Sequence, residues 1–264
     1  MPSSAALRQQ IESDFQHRYP SVLTPAARGI QDVACTGIAQ IDELLDGGLP
    51  VGAISEIVGS ASSGRTTIAL AFLAHRTQDG SSCVWIDANN NLDPESAAAN
   101  GVSLKHLLWV RCRNALIEKP SPVIRRMPSD NKQPWTRLDQ AIRATDLLLQ
   151  AGGFAAIVLD LADEAIEHAR RIPLATWFRF RQTSDRTRCS LIVLGKAAYA
   201  QSSAAVVLEC QPDRIDIATG MVIHGFNFSA RRGRMRFSPL TNTARKPPVS
   251  TWSAQAPWSY EKRA

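Results

Sequence analysis

The clearest chemistry in this sequence lies in a candidate phosphate-binding loop. Residues 59–67 read Gly-Ser-Ala-Ser-Ser-Gly-Arg-Thr-Thr, with the spacing of a P-loop but with Arg65 at the position of the usual lysine. Backbone N–H groups in such a loop point at phosphate oxygens, and the Thr66 hydroxyl is placed to reach a magnesium ion. Because a guanidinium is a planar fork and an ammonium a compact donor, Arg65 is expected to alter nucleotide affinity and hydrolysis.

The flanking residues place this loop at a strand-to-helix turn. Residues 53–58 form an apolar run typical of a buried strand, and residues 66–73 carry apolar positions at helical spacing. Phosphate would then lie at a helix N-terminus, which favours anions. A Gly/Ser-rich turn without function is the alternative, but strand, spacing, cation and hydroxyl all coincide here.

Strand-like and helix-like segments alternate along most of the chain. This alternation predicts an α/β fold, with a mostly parallel central sheet flanked by helices and later antiparallel strands at one edge. One predicted helix runs over 162–181. The apolar strand at 154–160 ends in Asp160, where a carboxylate would organise magnesium. A core strand with an incidental terminal aspartate is the alternative.

Composition divides the chain into an N-terminal helix with its linker, a core with one insertion, and a tail. Leu7, Ile11 and Phe15 form one apolar stripe, which predicts a helix over 3–18. The insertion and the tail are rich in proline and basic residues, so the insertion is expected to be exposed and the tail disordered. The boundaries are 1–29, 30–238 with 111–137 inserted, and 239–264.

Positive charge is concentrated at the C-terminal end of the sequence. Residues 231–264 carry a net charge of +7, whereas the rest of the chain carries −1. This asymmetry points to DNA or to an acidic partner surface, and a solvated tail is an equal alternative. The candidate contact residues are Arg231, Arg232, Arg234, Arg236, Arg245 and Lys246.

Composition also argues against several other classes of protein. The five cysteines are scattered without a Cys-x-x-Cys pair, so they are expected to be reduced and not to bind zinc. No stretch approaches the roughly 18 apolar residues of a membrane span, and no apolar signal segment follows the start. We therefore expect a cytoplasmic protein without a membrane partner.

Residues 30 to about 110 resemble the RecA recombinase family, and element order extends the resemblance loosely to about 230. The resemblance implies a RecA-like P-loop NTPase core that binds ATP and Mg²⁺, with Thr66 and Asp160 at the metal. The matching stretches are Thr36-Gly37, Gly47-Gly48-Leu49-Pro50, Glu56-Ile57, 59–67, Ile86-Asp87-Ala88 and Leu92-Asp93-Pro94. The implied nucleotide-binding residues are Gly59, Ser62, Ser63, Gly64, Arg65, Thr66, Thr67 and Asp93.

Several positions depart from the pattern of that family. Its water-activating glutamate is replaced by Asn89, which cannot accept a proton as a carboxylate does. Its adenine-stacking tyrosine is Ser96, although Asp93 remains to accept from the adenine amino group. Its Asn-Gln pair, which senses the γ-phosphate, is Gly195-Lys196. We therefore expect low affinity for ATP, weak or absent hydrolysis, and no competent catalytic residue.

Both DNA-binding loops of the family are shortened in this sequence. Little chain separates Asp160 from Pro173, and only 197–204 remain of the second loop. With the chain length and basic tail, these losses resemble the ImuA group, accessory proteins of bacterial mutagenesis cassettes. That resemblance implies a bacterial adaptor in the SOS response and translesion synthesis, docking on a RecA filament or a polymerase-like mutasome partner, with DNA near the basic end.

Two enzyme hypotheses stand beside the adaptor. An ATP-dependent recombinase or DNA-dependent ATPase is favoured by Thr66, by Asp160 and by the glycines that the phosphate loop retains. A phosphotransferase acting on a small substrate has only the phosphate loop in its favour. The rate of ATP turnover separates these hypotheses from the adaptor.

Overall fold

The computed structural model describes residues 32–113, 136–218, 222–235 and 249–255. The predicted N-terminal helix over 3–18 and most of the predicted insertion lie outside these residues. Three of the predicted contact residues lie outside them as well: Arg236, Arg245 and Lys246.

The described residues form ten strands and six α-helices. The strands are Val33–Ala34 (β1), Leu49–Pro50 (β2), Ile54–Gly59 (β3), Cys83–Asp87 (β4), Leu107–Arg111 (β5), Ala156–Asp160 (β6), Ser190–Gly195 (β7), Ala204–Ala218 (β8), Val222–Met235 (β9) and Val249–Gln255 (β10). The helices are Ala39–Leu44 (α1), Arg65–Gln78 (α2), Pro94–Ala99 (α3), Arg137–Ala151 (α4), Ile166–Ala169 (α5) and Leu174–Thr187 (α6). None of these helices combines the length and the apolar character needed to cross a membrane.

An eight-stranded sheet carries the fold, in the order β10-β9-β8-β3-β7-β6-β4-β5. The strands from β8 to β5 in this order are parallel neighbours, whereas β9 and β10 add antiparallel pairs at one edge. The predicted α/β fold with a mostly parallel sheet is thereby confirmed. Parallel strands bring their carboxyl ends to one edge, so the ends of β3, β6 and β7 lie side by side.

Helices bury both faces of the sheet. On one face α2 packs around Phe72 and Trp85, and on the other α4 and α6 pack around Trp177 and Phe180. The rings of Trp177 and Phe180 meet edge to face, with their centroids 6.0 Å apart. Burial on both faces explains why β3, β6 and β7 are continuously apolar in sequence.

The helix predicted over 162–181 is two helices, α5 and α6. Pro173 is the N-cap residue of α6. Proline has no N–H to donate to a preceding turn and disfavours the helical conformation of the residue before it. The chain therefore bends at this point, and α5 and α6 are separate elements.

The strand β10 lies within the predicted C-terminal tail. It pairs antiparallel with β9, with Trp252 opposite Phe228. Trp252 is only 4% exposed. Because burial of an indole is strongly favourable, Val249–Gln255 is ordered in the sheet, and the expected disorder of the tail is wrong for these residues.

Candidate nucleotide site

The predicted phosphate loop joins β3 to α2 with P-loop geometry. Gly64 is the N-cap residue of α2 and has a left-handed backbone, with φ of 84°. At Gly59 a Cβ atom would lie 2.3 Å from the carbonyl oxygen of Cys210, so only glycine allows this approach to β8. Ser62, Thr66 and Thr67 keep solvent-accessible surface, whereas Ser63, Gly64 and Arg65 are buried.

Arg65 does not point out of the loop as a free phosphate ligand. Its side chain is buried, and Nη1 donates a hydrogen bond of 2.6 Å to the carbonyl oxygen of Gly195 at the end of β7. Burial lowers the pKa of Arg65, while the nearby charges of Asp160 and Asp163 act in the opposite direction. The guanidinium therefore tethers the loop to the end of β7.

Asp160 ends β6 close to this tether, as predicted for the metal-organising carboxylate. It is 6% exposed, and Oδ1 accepts a hydrogen bond of 3.0 Å from the N–H of Ala162. Burial raises the pKa of Asp160 to about 6, and Asp87 adds to this increase, while Arg65 opposes it. Among the described residues, no three His, Cys, Asp or Glu side chains cluster as metal ligands. Asp160 and Thr66 would therefore hold a magnesium ion together with water and the phosphate oxygens of a bound nucleotide.

Two aromatic residues from the antiparallel edge pack directly against the loop. A Cβ atom at Gly64 would lie 2.8 Å from Cζ2 of Trp252 and 2.9 Å from Cγ of Phe228. The two rings lie 5.3 Å apart between centroids. No local sequence pattern predicts this contact, because Trp252 is far along the chain from the loop. Gly64 is thus required by the aromatic pair as well as by its own backbone angle.

We predict that Gly64→Ala destabilises the protein by about 2 kcal/mol, from left-handed strain plus the clash with Trp252. Gly80→Ala is a matched control, since Gly80 has φ of 79° and nothing within 4 Å of its Cβ position. Urea denaturation of both variants measures the difference, which is the contribution of packing. Equal losses in the two variants would show that the aromatic contact is unimportant.

Asn89 and Asp93 lie beyond the end of β4. Asp93 is the N-cap residue of α3, and its carboxylate accepts from the N–H groups of Glu95 and Ser96, both at 3.2 Å. Hydrogen bonds from Ser96 are the main cause that lowers the pKa of Asp93. Nδ2 of Asn89 is enclosed and has no hydrogen-bond partner among the described residues. The adenine contact predicted for Asp93 thus competes with its role as a helix cap.

The connection from β7 to β8 is short and held by a buried carboxylate. Glu56 on β3 is fully buried, and Oε1 accepts from the N–H groups of Tyr199, at 2.5 Å, and Ala200, at 2.9 Å. Burial raises the pKa of Glu56, whereas these two hydrogen bonds lower it. This segment includes residues 197–204, which the sequence predicted as the shortened counterpart of the second DNA-binding loop of the RecA family. A charged residue inside an apolar strand, Glu56, is the signal in the sequence that could have indicated this contact.

Three of the predicted DNA or partner contacts lie on β9 and have partners within the chain. Arg231 forms an ion pair with Glu209. Arg232 donates to Asp46 at 2.9 Å, and Arg234 donates to the carbonyl oxygen of Gln201. These side-chain contacts add to the backbone pairing of β9 with β8 and β10. The structure therefore does not bring the three arginines together as a patch of unpaired cations.

Known proteins resemble this chain in sequence and in fold. A sequence model of the RecA N-terminal domain matches residues 4–115. The RadB recombinase structure covers 83% of this chain, and this chain covers 94% of it, with a TM-score of 0.54 and 17% identity. The fold of this chain is RecA-like.

Two curated relatives share sequence with part of this RecA-like chain. RecA of Crocosphaera subtropica is 40% identical over 99 residues, which are 38% of this chain and 28% of that protein. RecA of Cutibacterium acnes is 35% identical over 159 residues, 59% of this chain and 38% of that protein. The chain thus matches about a third of the length of these relatives, and the likeness to RadB shows the fold alone.

Proposed function

We propose that this chain is an accessory protein of the DNA damage response, an adaptor whose nucleotide site has degenerated. The tether from Arg65 to the Gly195 carbonyl carries the proposal. In the family it resembles, the residues at the end of β7 report on the γ-phosphate, whereas here an internal cation contacts that point directly. Asn89 supplies no carboxylate to activate water, which also supports binding without turnover.

The pattern of losses supports a narrower role in SOS mutagenesis and translesion synthesis in the bacterial cytoplasm, as in the ImuA group. The segment held by Glu56 is too short to grip DNA as a long loop would. We infer that the chain docks on a RecA filament or on a polymerase-like mutasome partner. ATP and Mg²⁺ would bind the loop with low affinity, and DNA would lie near the C-terminal cations.

We predict that DNA-stimulated ATP turnover is at least about 100-fold below that of a RecA protein assayed in parallel, the contribution of one general base. Asn89→Glu alone should not restore turnover, because Arg65 would still donate its hydrogen bond to the Gly195 carbonyl oxygen. Turnover close to that of RecA, abolished by Asp160→Ala, would instead establish the recombinase or ATPase. Thr66 and Asp160 are the residues that favour that second candidate.

For the C-terminal cations, we predict that the double variant Arg245→Gln, Lys246→Gln weakens single-stranded DNA binding and reduces the salt slope by about 1.4, since each phosphate contact contributes about 0.7. Fluorescence anisotropy across a salt series measures this slope. The full chain is preferable to a truncation at 239, which would also remove the buried Trp252. An unchanged slope would reject a role for these two residues in DNA binding.

A further inference from the structure

A cleft with a volume of about 900 Å³ lies beside the carboxyl ends of β4 and β6, and its described lining contains no residue of the phosphate loop. The chain leaves β4 toward α3 on one face of the sheet, and it leaves β6 toward α5 and α6 on the other. Adjacent parallel strands whose connections diverge in this way open a crevice at their carboxyl ends. The volume is within the range of ligand pockets.

The walls of the cleft combine an aliphatic surface with one unused hydrogen-bond donor. Leu138 and Ile142 come from α4, and Ile172 comes from the turn before α6. Asn89 also lines the cleft, and its enclosed Nδ2 has no acceptor among the described residues. A buried N–H group without an acceptor is unfavourable, so a ligand that offers a carboxylate or carbonyl oxygen would satisfy it.

The described lining residues of the cleft include four arginines and three carboxylates, a small excess of positive charge. Asp146 is 7% exposed, accepts from Nε of Arg179 at 2.9 Å, and lies 3.9 Å from Arg143, so these three groups neutralise one another in part. Arg171 and Glu164 both line the cleft. Within the described ranges neither has an ion-pair partner within 4.0 Å, so Arg171 is available to an incoming anion.

We propose that this cleft binds a short acidic segment of a partner protein, which carries an aliphatic side chain. Carboxylate oxygens would bond to Arg171 and to Nδ2 of Asn89, and the aliphatic group would pack on Ile142 and Ile172. A nucleic acid fits less well, because Leu138, Ile142 and Ile172 form an apolar wall that suits an aliphatic side chain, and His168 is the one aromatic ring among the described lining residues for base stacking. This inference rests on the adaptor proposal and names its docking surface.

A fluorescein-labelled peptide of four glutamates followed by two leucines, titrated with the full chain, tests the cleft. Arg171→Gln should weaken binding about tenfold, the loss expected for a hydrogen bond to a charged group. Glu164→Gln should tighten binding, because it removes a like charge. Arg186→Gln, in the last turn of α6 and outside the described lining of the cleft, should leave the affinity unchanged.

Three results would overturn the proposal: no saturable binding, equal binding of a peptide with glutamine in place of glutamate, or no response to either cleft variant. If short single-stranded DNA displaces the peptide and shows the same ranking of affinities among the variants, that result would assign the cleft to nucleic acid instead. If the peptide does not bind and the protein does not turn over ATP, the proposal for the cleft is wrong but the adaptor proposal is not contradicted. If the protein turns over ATP at the rate of RecA and still binds the peptide, the adaptor proposal is wrong but binding at the cleft is confirmed.

Discussion

Replacing Arg65 by alanine should lower the free energy of unfolding by about 3 kcal/mol, the loss expected when one partner is removed from a buried charged contact. The variant loses the 2.6 Å bond to the Gly195 carbonyl and leaves Asp160 buried without its nearest opposing charge. The loop and the end of β7 would separate at this point. Urea denaturation followed by tryptophan fluorescence measures the change.

Arg65→Lys separates charge from geometry in this experiment. A lysine keeps the positive charge near Asp160 but has a shorter reach and no planar fork, so its stability should lie between those of the wild type and Arg65→Ala. Arg181→Ala is the control, because Arg181 is exposed on α6 and should have an effect within about 0.5 kcal/mol. A loss for Arg65→Ala no larger than this control would show that the tether is unimportant.

Asp160→Asn should stabilise the protein at pH 8 by about 2 to 3 kcal/mol, since each unit of pKa shift corresponds to about 1.4 kcal/mol. The pKa of Asp160 rises from 3.8 in the unfolded chain to about 6 in the folded protein. The folded state therefore favours the protonated form, which asparagine imitates in shape and neutrality. Its amide oxygen can still accept from the N–H of Ala162.

The effect of Asp160→Asn on the free energy of unfolding should depend on pH. Because the pKa of Asp160 is higher in the folded state, the stabilising contribution is complete below about pH 4 and is lost as pH rises through about 6. The advantage of Asp160→Asn should therefore be largest at pH 8 and disappear near pH 4. Unfolding curves at pH 4, 6 and 8 measure it. A destabilised variant at pH 8 would mean that the carboxylate is needed in its ionised form.

Local patterns predicted the central part of the fold and the position of the loop. The apolar run before Gly59 and the helical spacing after Arg65 fix the strand, turn and helix, because these signals depend on neighbouring residues alone. The end of β6 at Asp160 was predicted for the same reason. Parallel strands then bring Asp160 close to the loop without further information.

Contacts between distant parts of the chain were not predictable in this way. The charge of Arg65 was visible in the sequence, but its acceptor is a backbone carbonyl at Gly195, and every residue has such a group. Trp252 stood among proline and basic residues that suggest disorder, and only its burial against Phe228 and Gly64 decided otherwise. Tertiary packing overrode local composition at both places.

The position of β10 bears on how the protein is made. The strand that carries Trp252 is synthesised long after Gly64, and domains begin to fold on the ribosome as translation proceeds at about 5–20 residues per second. Trp252 follows Gly64 by 188 residues, so the loop lacks this neighbour for about 10 to 40 s while the nascent chain grows. Chaperones that recognise exposed aromatic and aliphatic groups would meet this unfinished surface first, so ribosome stalling before codon 249 should yield a protease-sensitive intermediate.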